Sequence, residues 1–271
     1  MNNGMTVFEK FDALKARLSA LSGLAVAFSG GVDSTLLIKA AHEALGERTV
    51  ALTARSRNFP EREFVEAREF CEAIGVRHIV VDVDELAIEG FAANPPDRCY
   101  ICKNALLDSF RAEADSLGIE HIAEGTNFDD DVADRPGFRA VTERGILSPL
   151  REAQLSKAEI RELLRGFNLA VAEKPSLACL ASRFPYGETI TREKLAQVDA
   201  AELIVFGLGI RQARVRHHGS IARIETDEDG FRIFADREVR ARITAQLREL
   251  GFTYVALDML GYRTGSMSEG L

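Results

Sequence analysis

The segment Leu24-Ala-Val-Ala-Phe-Ser-Gly-Gly-Val-Asp-Ser-Thr-Leu-Leu-Ile38 decides how this chain folds. Residues 24–28 are apolar without polar alternation, which is typical of a parallel strand covered on both faces. Gly30 and Gly31 follow, and glycines tolerate left-handed backbone and leave amide groups open to a ligand. Asp33-Ser-Thr35 then stands where a helix is capped. The segment therefore predicts a strand, a glycine turn and a helix whose N-terminal amides favour an anion.

The glycine turn differs from a Walker loop, because G-x-x-x-x-G-K-[ST] does not occur in this sequence. It resembles the PP-loop of the N-type ATP pyrophosphatases, which split ATP between the α and β phosphates. The alternative is an ordinary strand-to-helix turn, in which Gly-Gly followed by Asp-Ser-Thr would be unusual. The resemblance predicts that ATP is bound by Ser29, Gly30, Gly31, Asp33, Ser34 and Thr35.

The composition sets limits on the class of protein. The chain has 271 residues and a net charge of −8, with 28% charged residues. This length suffices for one large or two modest domains with hydrophobic cores. The acidic balance argues against general nucleic-acid binding, which normally leaves a basic surface. No signal pattern opens the sequence and no apolar run approaches eighteen residues, so we expect a cytoplasmic protein without a membrane span.

Apolar strands alternate with helices on both sides of the glycine turn. Strands are predicted over 24–28, 49–54, 78–83 and 121–126, and further helices over 6–22, 60–73, 102–117 and 156–167. The alternation predicts an α/β fold with a doubly wound parallel sheet, whose ligands bind beyond the carboxyl ends of the strands. Thr53 stands at such an end and is predicted to contact the nucleotide.

The pattern changes near residue 189. A helix over 190–206 precedes short strands over 212–217, 220–225 and 231–235, a helix over 236–250 and a strand over 252–257. This order predicts a small α+β domain. We expect a PP-loop ATP pyrophosphatase domain over 1–184 and a substrate or oligomerisation domain over 185–271.

Three of the four cysteines are candidates for chemistry. Cys71 lies on the apolar face of a predicted helix and is expected to be a buried apolar residue. Cys99-Tyr-Ile-Cys102 precedes a helix without the βαβ context of a thioredoxin, and Cys179 lies in an irregular segment. Three thiolates leave one coordination position open, as a catalytic cluster or metal requires. The residues alone leave open an iron–sulfur cluster, a zinc ion and three unlinked thiols.

Charged residues form a second group in the C-terminal segment. Arg214 and Arg216 alternate, so on a strand they share one face. Two guanidinium groups suit a phosphate dianion, whereas the alternative is a solvated edge strand that uses charge against aggregation. Glu202 and Glu225 are candidate metal ligands, with ordinary surface positions as the alternative.

The motifs taken together resemble the LarE family over essentially the whole chain. They are Ser29–Thr35, Lys174-Pro-x-x-x-Cys179-Leu-Ala-Ser-Arg183, Arg214-Val-Arg216-x-His218-Gly, Ala222-Arg-Ile-Glu225 and Gly261-Tyr-Arg263. LarE enzymes are sulfur transferases that make the nickel-pincer nucleotide cofactor of lactate racemase. The resemblance implies that ATP adenylylates a carboxylate of a pyridinium-biscarboxylate mononucleotide, with release of pyrophosphate. Sulfur then converts this carboxylate to a thiocarboxylate, and the second carboxylate reacts in the same way.

The resemblance also implies how sulfur is delivered. Cys179 matches the sulfur-donating cysteine of the family, which in the single-cysteine branch gives up its own sulfur. Cys99 and Cys102 are absent from that branch and match the three-cysteine branch, whose thiolates hold a 4Fe–4S cluster. An extra sulfide on the open iron is then delivered repeatedly. We therefore expect a catalytic enzyme rather than a sacrificial one.

Binding roles follow from the same resemblance. Arg214 and Arg216 match residues that hold the substrate phosphate, and Ser182 and Arg183 belong to the most specific block and are assigned to substrate binding. Mg²⁺ is expected with ATP, and Asp33 helps to place it. The carboxylates that match metal-contacting residues of the family are Glu202 and Glu225.

The implied partners are a small pyridinium mononucleotide and sulfide or another sulfur donor, without nucleic acid or membrane. Family members form hexamers, so a homo-oligomer is expected. Three alternatives stay open: a PP-loop enzyme that thiolates tRNA, an ammonia-using ligase similar to NAD or GMP synthetase, and a non-enzymatic metal-binding module. The net charge of −8 argues against the first, the additional cysteines against the second and the PP-loop motif against the third.

Overall fold

The computed structural model describes residues 4–131, 136–175, 178–263 and 265–268. The chain forms two compact units, the first made of Met1–Asp84 and Asp97–Leu177, the second of Glu85–Pro96 and Ala178–Leu271. Residues 85–96 join the second unit through backbone pairing, in which Gly187 N donates to Asn94 O and Ile190 N to Ala92 O, both at 2.9 Å. We expected residues 85–96 to belong to the N-terminal domain, and no local pattern predicts that they join the second unit.

The first unit contains a four-stranded parallel sheet with the order β3-β2-β1-β4. Its strands are β1 (Leu24–Ala27), β2 (Thr49–Arg55), β3 (Arg77–Asp82) and β4 (His121–Ala123). Leu24 pairs with Thr49 on one side and with His121 on the other, so β1 is central. The chain leaves β1 toward one edge of the sheet and later returns to its other side. The predicted doubly wound α/β fold is therefore confirmed.

Two hydrophobic clusters explain why β1 is apolar at every position. Leu24 and Val26 belong to one cluster, and Ala25 belongs to another that also contains Leu52 and Phe110. Because successive strand residues point to opposite faces, both faces of β1 are buried. The helices of this unit are α1 (Val7–Leu18), α2 (Val32–Leu45), α3 (Glu61–Ile74), α4 (Arg98–Ser116), α5 (Pro136–Glu143), α6 (Pro149–Glu152) and α7 (Lys157–Gly166).

Helix ends follow local signals where side chains cap them. At α7, Ser156 Oγ accepts from Glu159 N at 3.3 Å and Glu159 Oε2 accepts from Ser156 N at 2.8 Å, so the two residues form a capping box. Helix α4 starts at Arg98 instead of residue 102, so Cys99 and Cys102 lie inside its first two turns.

Within the described residues, no helix combines the length and apolar character that crossing a membrane requires.

The second unit contains a mixed three-stranded sheet. Its strands are β5 (Ala213–His218), β6 (Ile221–Thr226) and β7 (Tyr254–Leu257), with β5 antiparallel and β7 parallel to β6. Helices α8 (Arg192–Phe206), α9 (Glu228–Phe234) and α10 (Arg237–Glu249) complete the unit. The strand predicted over 231–235 is wrong, because Asp227 Oδ1 accepts from Gly230 N at 3.0 Å and starts α9 there.

Candidate functional site

The glycine loop between β1 and α2 lies at the carboxyl end of the central strand, where the sheet order reverses. Gly30 adopts φ +68°, and a Cβ atom there would lie 3.1 Å from the Cβ of Ala67 in α3. Gly31 is the N-cap of α2 and, as a glycine, offers no side chain to the first-turn amides. Ser34 Oγ donates to Gly31 O at 3.2 Å and braces the turn. The loop can therefore present backbone amides and a helix N-terminus to an anion.

We expect Gly30→Ala to raise the dissociation constant for ATP at least about tenfold, equivalent to 1.4 kcal/mol. In the variant, an alanine must adopt the left-handed backbone conformation, which costs about 1–2 kcal/mol. Its Cβ atom also crowds Ala67, so the loop must move. Titration calorimetry with ATP measures the change. Gly145→Ala is the control, since Gly145 has φ +62° and no described heavy atom lies within 4 Å of its added Cβ. Equal losses of ATP affinity in the two variants would contradict the proposed role of the loop.

A cavity of about 610 Å³ opens beside the loop within the first unit, a size that suits a nucleotide. One part of its wall is apolar and includes Phe28, Phe59, Phe64, Leu106 and Phe110. The other part is polar and includes Ser29, Gly31, Asp33, Ser34, Asn127 and Lys157. The lining thus combines aromatic and aliphatic side chains with polar and charged ones.

Lys157 is a residue that the sequence analysis missed. Its Nζ lies 2.5 Å from Asp33 Oδ2, and Asn127 Nδ2 donates to Asp33 Oδ1 at 3.3 Å. Lys157 is the first residue of α7, far from the glycine loop in sequence, so no local pattern points to the pair. An ammonium group and a carboxylate thus meet at the anion-binding end of the cavity.

Lys103 and Glu124 form a second charged pair on the cavity wall, with Nζ 3.2 Å from Oε2. Burial by itself would raise the pKa of Glu124, but Lys103 and hydrogen bonds from Thr126 and Ser148 lower it overall. The loop after β4 approaches the glycine loop closely, since a Cβ at Gly125 would lie 3.0 Å from Ser34 N. The ionised carboxylate of Glu124 is therefore part of the cavity near neutral pH.

Thr53 and Thr35 occupy different environments. Thr53 lines the cavity, and its hydroxyl donates to Phe28 O at 2.8 Å. Thr35 is 1% exposed, and its amide donates to Gly31 O at 2.9 Å within the first turn of α2. Thr53 is thus placed to touch a ligand through its side chain, whereas Thr35 supports the loop from the helix interior.

The cysteines differ in exposure and in unit. Cys99 is exposed and Cys102 half-buried on α4 of the first unit, and Cys179 is half-buried in the second unit. Cys71 is buried as predicted, and burial raises the pKa of its thiol to about 12, which makes it unreactive. Within the described ranges, no group of three or more His, Cys, Asp or Glu residues is arranged to hold a metal ion.

Arg183 and Glu202 form a fully buried ion pair in the second unit. The guanidinium group contacts the carboxylate twice, with Nε at 2.8 Å from Oε1 and Nη2 at 2.9 Å from Oε2. Nη1 donates to Ala178 O at 2.8 Å and to Cys179 O at 3.0 Å. Ser182 Oγ donates to Cys179 O at 2.8 Å. The predicted substrate-binding residues Ser182 and Arg183 therefore hold the backbone of the Cys179 segment.

Arg214 and Arg216 lie on β5 with the alternation that the sequence analysis describes. Arg216 contacts Glu225 Oε2 through Nε at 3.0 Å and Nη2 at 2.7 Å, and its Nη1 donates to Ser182 O at 3.1 Å. Burial, and then the nearby Arg183, lower the pKa of Arg214. Glu202 and Glu225 thus serve as counter-ions of buried arginines, and their role as metal ligands stays a prediction.

Comparison with known proteins identifies a matching family and several relatives of this chain. The asparagine synthase family model matches residues 11–99, which include the glycine loop. An uncharacterized protein of Synechocystis sp. is 39% identical over 97% of this chain and 98% of its own length. The tRNA-specific 2-thiouridylase of Acidithiobacillus ferrooxidans is 30% identical over 55% of this chain and 51% of its own length.

A further relative covers nearly the whole of both chains. The pyridinium-3,5-bisthiocarboxylic acid mononucleotide synthase of Lactiplantibacillus plantarum is 37% identical over 98% of this chain and 96% of its own length. The similarity therefore extends over both the glycine-loop segment and the Cys179 segment of this chain. The chain belongs to the LarE family of pyridinium-3,5-bisthiocarboxylic acid mononucleotide synthases.

Proposed function

We propose that this protein is an ATP-dependent sulfur transferase that converts the carboxylates of a pyridinium-biscarboxylate mononucleotide to thiocarboxylates. The observation that carries the proposal is the glycine loop at the sheet switch point, with its 610 Å³ cavity and its charged residues. The same proposal includes a homo-oligomer in the cytoplasm. The full-length relatedness to a bisthiocarboxylic acid mononucleotide synthase supports this choice over other PP-loop reactions.

The first step activates the carboxylate. A substrate carboxylate oxygen attacks the α phosphorus of ATP, the bond to the bridging oxygen breaks, and pyrophosphate leaves with that electron pair. The amides of Gly31 and the first turn of α2 would hold the departing anion, together with the Lys157 ammonium group. Mg²⁺ would be held by Asp33 and would neutralise the phosphate charge. Asp33 would then contact the metal ion instead of Lys157, and the Lys157 ammonium group would be able to contact a phosphate oxygen.

The second step exchanges oxygen for sulfur. A sulfur nucleophile adds to the acyl carbon, and AMP leaves with the oxygen through which it was attached, so the product is a thiocarboxylate. Cys99, Cys102 and Cys179 would hold a 4Fe–4S cluster, and that cluster would supply the sulfur. The accessible C-x-x-C of α4 supports two of these ligands. Arg183 would keep the Cys179 backbone in place during the reaction.

The substrate phosphate is assigned to the paired arginines of β5. Arg214 and Arg216 are 2% and 5% exposed, so a phosphate that reaches them leaves bulk water and its attraction to them is strengthened. Arg216 already contacts Ser182 O and Glu225, which fixes the direction of its guanidinium group. A preorganised pair of this kind suits a dianion better than flexible surface lysines.

The direct test supplies anaerobic protein with ATP, Mg²⁺, sulfide and the synthetic biscarboxylate mononucleotide. We expect AMP and pyrophosphate in equal amounts and a thiocarboxylate product by mass spectrometry. Two controls replace the mononucleotide by unmodified tRNA, or sulfide by ammonia. Absence of pyrophosphate with the mononucleotide, or thiolation of tRNA, would overturn the proposal.

The cluster is tested by metal content. We expect about four irons per chain after anaerobic reconstitution, and a loss of most of this iron in Cys99→Ala. Cys71→Ala is the matched control, because Cys71 is a buried core residue of α3 and the variant should keep its iron. Iron and labile sulfide are measured with the visible absorption spectrum. A bound zinc ion, no metal, or equal iron in both variants would count against the cluster.

A further inference from the structure

The hydroxyl of Thr53 lies in the apolar part of the nucleotide cavity. Thr53 is 5% exposed and lies in the second half of β2, two residues before Arg55 ends the strand. Its Oγ1 lies 2.8 Å from His78 Nε2, and the His78 ring packs against the rings of Phe28 and Phe64, at centroid distances of 6.4 and 6.3 Å. Both phenylalanines line the cavity. The hydroxyl is thus a fixed polar group within the surface that suits a flat ring.

The hydrogen-bond inventory of this hydroxyl is almost complete. A threonine hydroxyl has one hydrogen and two acceptor positions. The hydrogen is donated to Phe28 O at 2.8 Å, so His78 Nε2 must be the donor in the second contact. Burial lowers the pKa of His78, which favours the neutral ring. The contact with Thr53 then assigns the single ring proton to Nε2. One acceptor position remains on Thr53, and no hydrogen remains to be donated.

From this inventory we infer that Thr53 selects nucleotides with an amino group at position 6 of the purine. The inference deepens the proposed function, because it names the residue pair that distinguishes ATP from 6-oxo nucleotides. An amino group can donate to the free acceptor position of Thr53. A carbonyl oxygen at the same place would face a second acceptor without a hydrogen between them, which leaves two desolvated oxygens opposed. His78 is the positioning residue, because its N–H keeps the threonine hydrogen on Phe28 O.

ATP and ITP provide the probes: adenine carries an amino group at position 6 and an unprotonated N1, whereas hypoxanthine carries a carbonyl group at position 6 and a hydrogen on N1. We expect the wild-type protein to bind ATP about 10- to 100-fold more tightly than ITP. With ITP the hydrogen bond to Thr53 is lost, and the buried threonine oxygen faces the carbonyl oxygen of the base. In Thr53→Val the ratio of the two dissociation constants should fall to within about threefold of unity, whereas Thr53→Ser should preserve it. Titration calorimetry without the mononucleotide measures this ratio.

Two further variants separate base selection from general damage. His78→Leu should lower the ratio, because the hydroxyl becomes free to turn its hydrogen into the cavity, and His78→Gln should restore it through an amide N–H. Lys157→Met should weaken ATP and ITP equally and leave the ratio unchanged, because Lys157 lies at the anionic end. These variants also test the inference if Thr53→Val fails to fold.

The inference is overturned if wild-type protein binds ITP as well as ATP, or if Thr53→Val weakens both nucleotides equally. It fails independently of the proposed function, because nucleotide binding is measured without sulfur transfer. Selective ATP binding without thiocarboxylate production would overturn the proposed function and keep this inference. Thiocarboxylate production that proceeds equally with ITP would do the reverse.

Discussion

Cys179→Ala is expected to reduce thiocarboxylate formation by a factor of at least about 10³, because the variant lacks one of the three thiolates that we propose hold the sulfur-supplying cluster. Pyrophosphate release should continue, because the glycine loop and its cavity are built from residues of the first unit. The expected phenotype is therefore an enzyme that consumes ATP without transferring sulfur. Parallel assays of pyrophosphate and thiocarboxylate on the same anaerobic sample measure the two steps.

Cys71→Ala is the control for this experiment, since Cys71 is a buried thiol whose raised pKa keeps it protonated. Its ratio of thiocarboxylate to pyrophosphate should equal that of the wild-type protein. A Cys179→Ala protein that keeps full sulfur transfer would remove Cys179 from the reaction. Loss of pyrophosphate release together with sulfur transfer would show that Cys179 acts before the adenylate forms.

Arg183→Met is expected to lower the free energy of unfolding by about 3–5 kcal/mol, which is the usual cost of breaking a buried ion pair. Glu202 is 0% exposed and would keep a carboxylate without its guanidinium partner. The carbonyl groups of Ala178 and Cys179 would also lose a donor. Urea unfolding of the full chain, followed by circular dichroism, measures the change.

The double variant Arg183→Met/Glu202→Met should recover much of this loss, because it removes the uncompensated charge as well. Arg165→Met is the surface control. Its partner Glu173 is exposed, and we expect the free energy of unfolding to change by less than about 1 kcal/mol. An Arg183→Met protein as stable as Arg165→Met would mean that the buried pair contributes nothing to the second unit.

Most of the first unit could be predicted because its signals are local. An apolar strand without alternation and a Gly-Gly turn each act within a few positions, and both appear in the structure. The capping prediction for Asp33, Ser34 and Thr35 was wrong, because Gly31 is the N-cap of α2 and these three residues lie inside the helix. The strand predicted over 231–235 was wrong, although the signal that decides this segment is also local. Its Phe-Arg-Ile-Phe alternation suggests a strand, but the Asp227 cap three residues before Gly230 starts a helix.

The functional residues divide along a similar line. The sequence by itself determined the glycine loop, the C-x-x-C of Cys99 and Cys102 and the alternation of Arg214 and Arg216, since each depends on residue type and short spacing. Only the tertiary structure decided the partners. Lys157 meets Asp33 across 124 positions, His78 meets Thr53 across 25, and Glu202 is the counter-ion of Arg183. A buried charge or hydroxyl needs a partner, but the partner is chosen by which strands and helices become neighbours, and no local pattern records that choice.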